Sequence, residues 1–195
     1  MNVHSALATD SDKGEAILKA ALELFVERGF HGTSVPSVAE RAGVAAGTIY
    51  HYFASKEALV NVLYKQWKAA IGALVVNDFP FDAPSREQFR VVWERMSAFA
   101  VTHPKEFAFL ELHSHSSYLD DESRAMENRI VEFGVAMVER AQVAQTVKRL
   151  PAHLLMEFAN GAFIGVFRGA LEGRVPLTKE TLMSAEPCGW EAIRA

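Results

Sequence analysis

Apolar residues recur at helical spacing along almost the whole 195-residue chain, and this pattern restricts the fold more than any other feature. Near the N-terminus, Ile17, Ala20, Ala21, Leu24 and Phe25 follow the i, i+3, i+4, i+7, i+8 spacing of an amphipathic helix. No run of alternating polar and apolar residues with hairpin dipeptides occurs. The sequence therefore predicts an all-α protein.

Capping and helix-breaking residues divide the chain. Gly29 ends the first predicted helix, Ser34 caps a second, and Gly43 separates that one from a third. A helix capped by Ser55 then connects this head to a larger body. The predicted helices beyond Gly43 span residues 45–52, 55–76, 85–102, 105–117, 120–144, 151–173 and 178–194, the last interrupted at Pro187. We expect a flexible arm over 1–11, a head over 12–54 and a body over 55–195.

The composition excludes several classes of protein. Half of the residues are hydrophobic and 23% are charged, as in a globular chain. The single cysteine, Cys188, excludes an intramolecular disulfide framework and a cysteine-based zinc site, and it suits a reducing cytosol. The N-terminus lacks the pattern of a signal peptide. The apolar stretch 154–171 is interrupted by Glu157, Asn160 and Arg168, so we expect a cytoplasmic protein without a membrane span.

Residues 34–53 have the layout of a helix-turn-helix. Ala39 is small where the two helices cross, Gly43 lies at the turn, and Val44 and Ile49 fill the joint between the helices. The second helix can then enter a DNA major groove. The residues that it presents outward are Ala45, Ala46, Thr48 and His51.

The same region carries a family resemblance. Gly-Phe-His-Gly-Thr-Ser-Val over 29–35, Val-Ala-Glu-Arg-Ala-Gly-Val over 38–44 and Gly-Thr-Ile-Tyr-His-Tyr-Phe-Ala-Ser-Lys-Glu-Ala-Leu over 47–59 resemble the N-terminal domain of TetR-family transcription regulators. The resemblance extends over roughly residues 13–60. It implies a homodimeric DNA-binding regulator, most often a repressor released by a small-molecule effector, with no catalysis and no cofactor.

The resemblance also implies roles for individual residues. Thr33 and Ser34 match positions that meet phosphate at the start of the second helix, and Lys56 matches a phosphate-binding lysine. Further matches in the recognition helix are Gly47, Thr48, Tyr50 and Tyr52, of which the tyrosines usually touch the DNA backbone. Free N–H groups at the helix N-termini capped by Ser34 and Ser55 suit phosphate oxygens.

The head departs from the family pattern in its charge. Ala45 and Ala46 stand where many relatives carry a serine and a basic residue. Residues 1–66 hold six basic and seven acidic side chains, so the head is close to neutral. We therefore expect few phosphate contacts and a shallow dependence of affinity on salt. Specificity would then depend on Thr48, His51 and DNA shape.

Aromatic residues and methionines form stripes along the helices of the body. Each stripe alone is typical of plain core packing. The resemblance nevertheless implies an effector pocket among these helices, and its lining favours an apolar or aromatic ligand. The candidate pocket residues are Trp67, Ile71, Phe89, Trp93, Met96, Phe99, His113, Phe133, Met137 and Phe158.

The predicted helix over 151–173 is apolar nearly all round, which suggests burial on two sides. A stripe of small residues allows another helix to approach closely. With the helix over 178–194, it would form a four-helix bundle between two subunits. Such a two-fold dimer places its recognition helices about 34–36 Å apart and reads a near-palindromic operator. The candidate interface residues are Leu154, Phe158, Gly161, Ala162, Gly165, Gly169 and Trp190.

The residues around Glu111 leave an alternative from another class. His113 and His115 are two positions apart and point to nearly opposite sides of a helix, whereas Glu111 and His115 can bind one ion together. A helical metal-dependent enzyme or a ligand carrier using this cluster is the alternative function. The main interpretation includes no enzyme activity and no metal.

Overall fold

The computed structural model describes residues 10–195, and these form ten α-helices with no β-strand. An isolated antiparallel bridge between Val147 and Arg194 joins the connecting segment 144–151 to the C-terminus. The all-α prediction is thereby confirmed. The helices are α1 Asp10–Arg28, α2 Val35–Ala42, α3 Ala46–Tyr52, α4 Lys56–Val76, α5 Ser85–Thr102, α6 Pro104–Leu112, α7 Asp121–Val143, α8 Ala152–Leu171, α9 Lys179–Ser184 and α10 Glu186–Ile193.

Side-chain caps fix the short helices of the head. The Ser34 hydroxyl accepts from the Ser37 backbone N–H while the Ser37 hydroxyl accepts from the Ser34 N–H, so α2 begins with a reciprocal capping box. Gly43 ends α2 in the left-handed region at φ 68°, which glycine adopts without steric cost. Ser55 caps α4 by accepting from the Ala58 N–H. The predicted arm over 1–11 lies outside the described residues except at its end, where α1 begins at residue 10.

Two helix ends in the body differ from the predicted ones. Helix α6 ends at Leu112 rather than near residue 117, because His113 turns extended and His115 folds back to bond the Phe109 carbonyl. The break in the last predicted helix falls at Ala185, two residues before the proline. Pro187 lies in the first turn of α10, where its missing N–H removes no helical bond.

Arg95 on α5 closes the C-terminal end of α4. Its guanidinium donates to the carbonyl oxygens of Leu74, Val75, Asn77 and Asp78, at distances from 2.5 to 3.2 Å. These carbonyls have no partner within α4, and the positive charge also favours the negative end of the helix dipole. The last turn of α4 is therefore attached to α5 where the chain turns back toward the body.

One core extends from the head into the body. Buried side chains of α1, α4 and α6, such as Phe25, Leu63 and Phe109, pack together, and Phe107 continues the contact to Phe163 and Phe167 on α8. The head and the body therefore share apolar contacts beside the covalent connection through α4.

Helix α8 is incompletely covered by its own chain. By its length and composition it could cross a membrane. Its exposed large apolar side chains include Leu154 and Phe158. A core helix of a protein without a membrane span can have the same length and composition. The exposed apolar side chains instead indicate a face of α8 that its own chain leaves uncovered.

Candidate nucleic-acid interface and ligand cavity

Helix α3 lies on the surface of the head and presents most of its length to solvent. Ile49 is buried and anchors the helix in the core, whereas Tyr50 is 59% exposed. A Cβ atom built on Gly47 would meet no atom within 4 Å, so the protein itself does not require glycine there. Tyr52 is half-buried against α1 near Gly14. The remaining predicted DNA-contacting residues of this helix are Ala45, Ala46 and His51, which are exposed, and Thr48, which is half-buried.

The two residues before α2 have different environments. Thr33 is 1% exposed, and its hydroxyl donates to the carbonyl oxygens of Leu24 and Gly29. The hydroxyl of Thr33 therefore closes the α1–α2 turn, and a phosphate contact of this residue stays a prediction. Ser34 is exposed at the start of α2, as the sequence predicts.

Lys56 also supports the turn between α1 and α2. Its ammonium donates to the carbonyl oxygens of Phe30 at 2.8 Å and Thr33 at 2.9 Å, and lies 3.9 Å from the Phe30 ring centroid. Two of its three N–H groups are thereby used within the protein. Lys56 has a structural role that the sequence did not reveal, in addition to any contact with phosphate.

Two acidic residues of the head have their charges balanced by ion pairs. Arg41 pairs with Glu23 and Glu27, and Lys105 from α6 also pairs with Glu23. The bond from Lys105 lowers the pKa of Glu23, and the bond from Arg41 lowers that of Glu27. Among the described residues up to the start of α4, the Lys and Arg side chains that make no ion pair are Lys13, Lys19, Arg28 and Lys56.

Three aromatic side chains join the head to the loop between α6 and α7. The rings of Phe30 and Tyr118 stack with centroids 3.7 Å apart, and the Tyr118 hydroxyl lies 2.7 Å from Nε2 of His31. Asn61 on α4 holds this loop from the other side by donating to the Tyr118 carbonyl at 2.8 Å and accepting from the Asp120 N–H. We call Phe30, His31 and Tyr118 the head–body clasp.

We predict that Tyr118→Ala lowers the free energy of unfolding by about 2 kcal/mol, because a stacked aromatic ring and its buried area are lost. Tyr118→Phe keeps the ring and should cost about 0.5 kcal/mol, since the lost hydrogen bond is exposed. Denaturant unfolding measures both values, and hydrogen exchange should become faster over residues 29–35 in the alanine variant. Equal losses in the two variants would contradict the importance of the stack.

The body contains a cavity of about 390 Å³ between α4, α5, α6, α7, α8 and α10. Apolar and aromatic side chains form most of its wall, among them Val92, Ile130 and Phe163. Six predicted pocket residues line it, namely Ile71, Phe89, Trp93, Met96, Phe133 and Met137. A volume of this size accommodates a small organic molecule.

Four predicted pocket residues do not line this cavity. Trp67 on α4 and Phe99 on α5 pack against each other and against His103. Other residues of the same two helices, such as Ile71 and Met96, line the cavity instead. His113 lies in the α6–α7 loop, and Phe158 faces outward from α8. Helical spacing identified the apolar stripes but not which neighbour each one faces.

Comparison with known proteins connects this architecture to a family. The profile described as bacterial regulatory proteins, tetR family, matches residues 17–63, and the profile described as tetracyclin repressor-like, C-terminal domain, matches residues 56–195. The second match alone covers well over half of the chain. The chain belongs to the TetR family.

Individual relatives support the assignment. The HTH-type transcriptional regulator RutR of Escherichia coli strain K12 is 41% identical over 88 residues, which are 43% of this chain and 41% of RutR. The chain thus matches less than half the length of such curated relatives. A TetR-family regulator from Shewanella sp. PV-4 is 28% identical with a TM-score of 0.72, covering 94% of this chain and 98% of that one. One from Marinobacter aquaeolei VT8 is 25% identical with a TM-score of 0.78, covering 95% and 97%.

Charged side chains also line this largely apolar cavity. Lys68 on α4 and Glu111 on α6 line it and form an ion pair of 2.9 Å, with side chains only 12% and 15% exposed. Glu127 on α7 also lines the cavity. Neither Lys68 nor Glu127 is among the pocket residues predicted from the sequence. The sequence could have indicated Glu127, because it lies three positions before Ile130 and therefore on the same face of α7.

The residues of the predicted Glu/His cluster are occupied by other contacts. Glu111 is paired with Lys68, and Nε2 of the buried His115 lies 2.5 Å from the Phe109 carbonyl oxygen, to which it donates. His115 belongs to the loop after α6, so the i, i+4 spacing from Glu111 is not helical. Within residues 12–195, no three His, Cys, Asp or Glu side chains are grouped to hold a metal ion. The TetR family and the relatives named above are regulators rather than enzymes.

We predict that stability falls between pH 7 and pH 5. Burial is the main cause that lowers the pKa of His115, and burial also lowers that of His113, so the unfolded chain takes up protons at a higher pH than the native one. The free energy of unfolding then rises with pH through this interval. Denaturant unfolding at several pH values should give a smaller slope for His115→Gln than for the parent. His153→Gln, which changes an exposed histidine of α8, is the control, and an unchanged slope in His115→Gln would contradict the assignment.

The predicted dimer residues divide into two groups. Leu154, Phe158, Gly161 and Gly165 are exposed along one stripe of α8, with Ala162 half-buried beside it. Gly169 is buried near Arg174, and Trp190 contacts Phe89 within the same chain. These two residues therefore have contacts within the protomer, and their place in a dimer interface stays a prediction.

Proposed function

We propose that this chain is a homodimeric, cytoplasmic transcriptional repressor that a small apolar or aromatic effector releases from a near-palindromic DNA operator. Residues 12–54 would bind DNA and residues 55–195 would bind the effector and the second subunit. The observation that carries this proposal is the exposed helix-turn-helix joined by α4 to an apolar cavity. Membership of the TetR family supports it.

Helix α4 provides the link between the two sites. Its first residue, Lys56, holds the α1–α2 turn, while Lys68, Ile71 and Val75 further along line the cavity. An effector that packs against α4 and favours one tilt of this helix therefore changes the position of the head. A difference of about 1–3 kcal/mol in effector affinity between the two positions is sufficient for release.

The head–body clasp provides a second connection. Glu111 near the end of α6 and Glu127 on α7 both line the cavity, and the loop between these helices carries Tyr118. A displacement of either helix on effector binding would therefore move the ring that stacks on Phe30. Both connections end at the turn that precedes α2.

Selection of bound sequences from a random duplex library at physiological salt tests the proposal. We expect recovery of a near-palindrome with two half-sites whose centres are about one DNA turn apart or somewhat more. Failure of the folded, dimeric protein to enrich any sequence would contradict DNA binding by this head. The ligand-carrier function would then be favoured, because the cavity is independent of the head.

A further inference from the structure

The charged side chains that line the cavity are acidic in excess. Among the described lining residues, Lys68 is the only cation, whereas Glu111, Glu127 and Glu157 provide three carboxylates. The charge of Lys68 is already balanced by Glu111 in a pair that is largely buried. Glu127 and Glu157 therefore remain as negative charges without a cationic partner among the described residues.

Glu127 is the more enclosed of these two carboxylates. It is half-buried, whereas Glu157 is exposed. The neighbouring polar group is the hydroxyl of Tyr64, a residue that is only 2% exposed. Burial is the main cause that raises the pKa of Tyr64, followed by the negative charge of Glu127 and a hydrogen bond with it. The phenol therefore stays protonated, so it can donate a hydrogen bond to Glu127 but supplies no positive charge.

The apolar wall of the cavity also suits a positive charge. Phe89, Trp93 and Phe133 contribute aromatic rings, and the faces of such rings attract cations. A ligand that carries a positive charge can pair with the half-buried Glu127 carboxylate, and such a charge-assisted contact is stronger than a contact between neutral groups. An anionic ligand would instead bring a like charge toward Glu127 and Glu157.

We propose that the cavity binds a small organic cation, an amine whose ammonium group pairs with Glu127 and whose apolar body packs among the aromatic rings. The inference rests on the proposed function, because it names the chemical class of the effector. The volume of about 390 Å³ limits the ligand to a small molecule.

Three probes with the same carbon skeleton test the charge preference: phenylbutylamine, phenylbutanol and phenylbutyrate. Fluorescence of Trp93 and Trp190, which line the cavity, reports binding to the full-length protein. We expect the amine to bind at least about tenfold more tightly than the acid, which corresponds to about 1.4 kcal/mol. Glu127→Gln, similar in shape and uncharged, should weaken the amine about tenfold and leave the alcohol unchanged. Glu132→Gln, on the exposed side of α7, is the matched control and should bind all three probes like the parent.

The inference is overturned if the acid binds as tightly as the amine, if none of the probes binds, or if Glu127→Gln keeps the parent's preference. Operator DNA binding, measured in parallel, separates this result from the proposed function. A charge-dependent cavity that does not affect DNA binding would retain the inference and contradict release by the effector. Sequence-specific DNA binding without any amine binding would retain the DNA-binding part of the proposal and contradict the inference.

Discussion

The substitution Phe158→Glu is expected to convert the proposed dimer to a monomer and to lower operator affinity at least about a hundredfold. Phe158 is 56% exposed in the protomer, so the change leaves the internal core intact. In the proposed dimer, the introduced glutamate would bury an unpaired carboxylate from each subunit, which destabilises the interface. A monomer also meets the operator through one half-site, without the second half-site that dimerisation holds close by. Sedimentation velocity measures the mass, and fluorescence anisotropy of a labelled duplex measures the affinity.

The control for this prediction is Leu74→Glu, which places the same charge on an exposed apolar position of α4. It should remain dimeric and bind DNA like the parent. A dimeric Phe158→Glu would contradict the use of this face of α8.

The glycines of the same stripe give an independent test. A Cβ on Gly161 or Gly165 meets no atom within 4 Å in the protomer. Each glycine-to-alanine change should therefore stabilise the isolated protomer, by up to about 1 kcal/mol from helix propensity. If a partner helix approaches here, the same methyl groups weaken the dimer. A variant with a more stable protomer and a weaker dimer would support this interface, because misfolding would lower the stability of the protomer as well.

Local signals were sufficient to predict the order of the helices. Ser34, Gly43 and Ser55 act through bonds within a few residues of themselves, and the structure shows each of them at a helix boundary. The end of α6 could not be predicted in this way. It is set by His115, whose bond to the Phe109 carbonyl and burial against α4 depend on tertiary packing.

The candidate sites were only partly predictable for the same reason. Helical spacing placed Trp93 and Trp67 in apolar stripes, but only the relative rotation of the helices directs Trp93 to the cavity and Trp67 away from it. Thr33 and Lys56 match family positions, yet their polar atoms bond carbonyl groups that are distant in sequence. A polar residue at a matching position can thus support the site rather than contact the ligand.

Tyr50 and Thr48 on α3 are expected to affect DNA binding in different ways. Tyr50→Ala should weaken binding to every duplex about tenfold, because a backbone contact carries no sequence information. Thr48→Ala should instead reduce discrimination at one or two base pairs, by about 1 kcal/mol or more. Lys56→Ala is a less specific test than the sequence suggested, because losing this ammonium also releases the α1–α2 turn. Equal affinities of Tyr50→Ala, Thr48→Ala and the parent for the selected operator and for its base-substituted duplexes would contradict α3 as the recognition helix.

Gly47→Ala distinguishes a DNA-contacting role from a structural one. The added methyl group meets open space in the free protein, so thermal stability should be unchanged or slightly higher. In a complex with α3 in the major groove, the same methyl group lies between the helix and the DNA. Operator affinity should therefore fall about tenfold while stability does not. Loss of both would show that Gly47 is needed for folding, and loss of neither would place the DNA on another surface of the head.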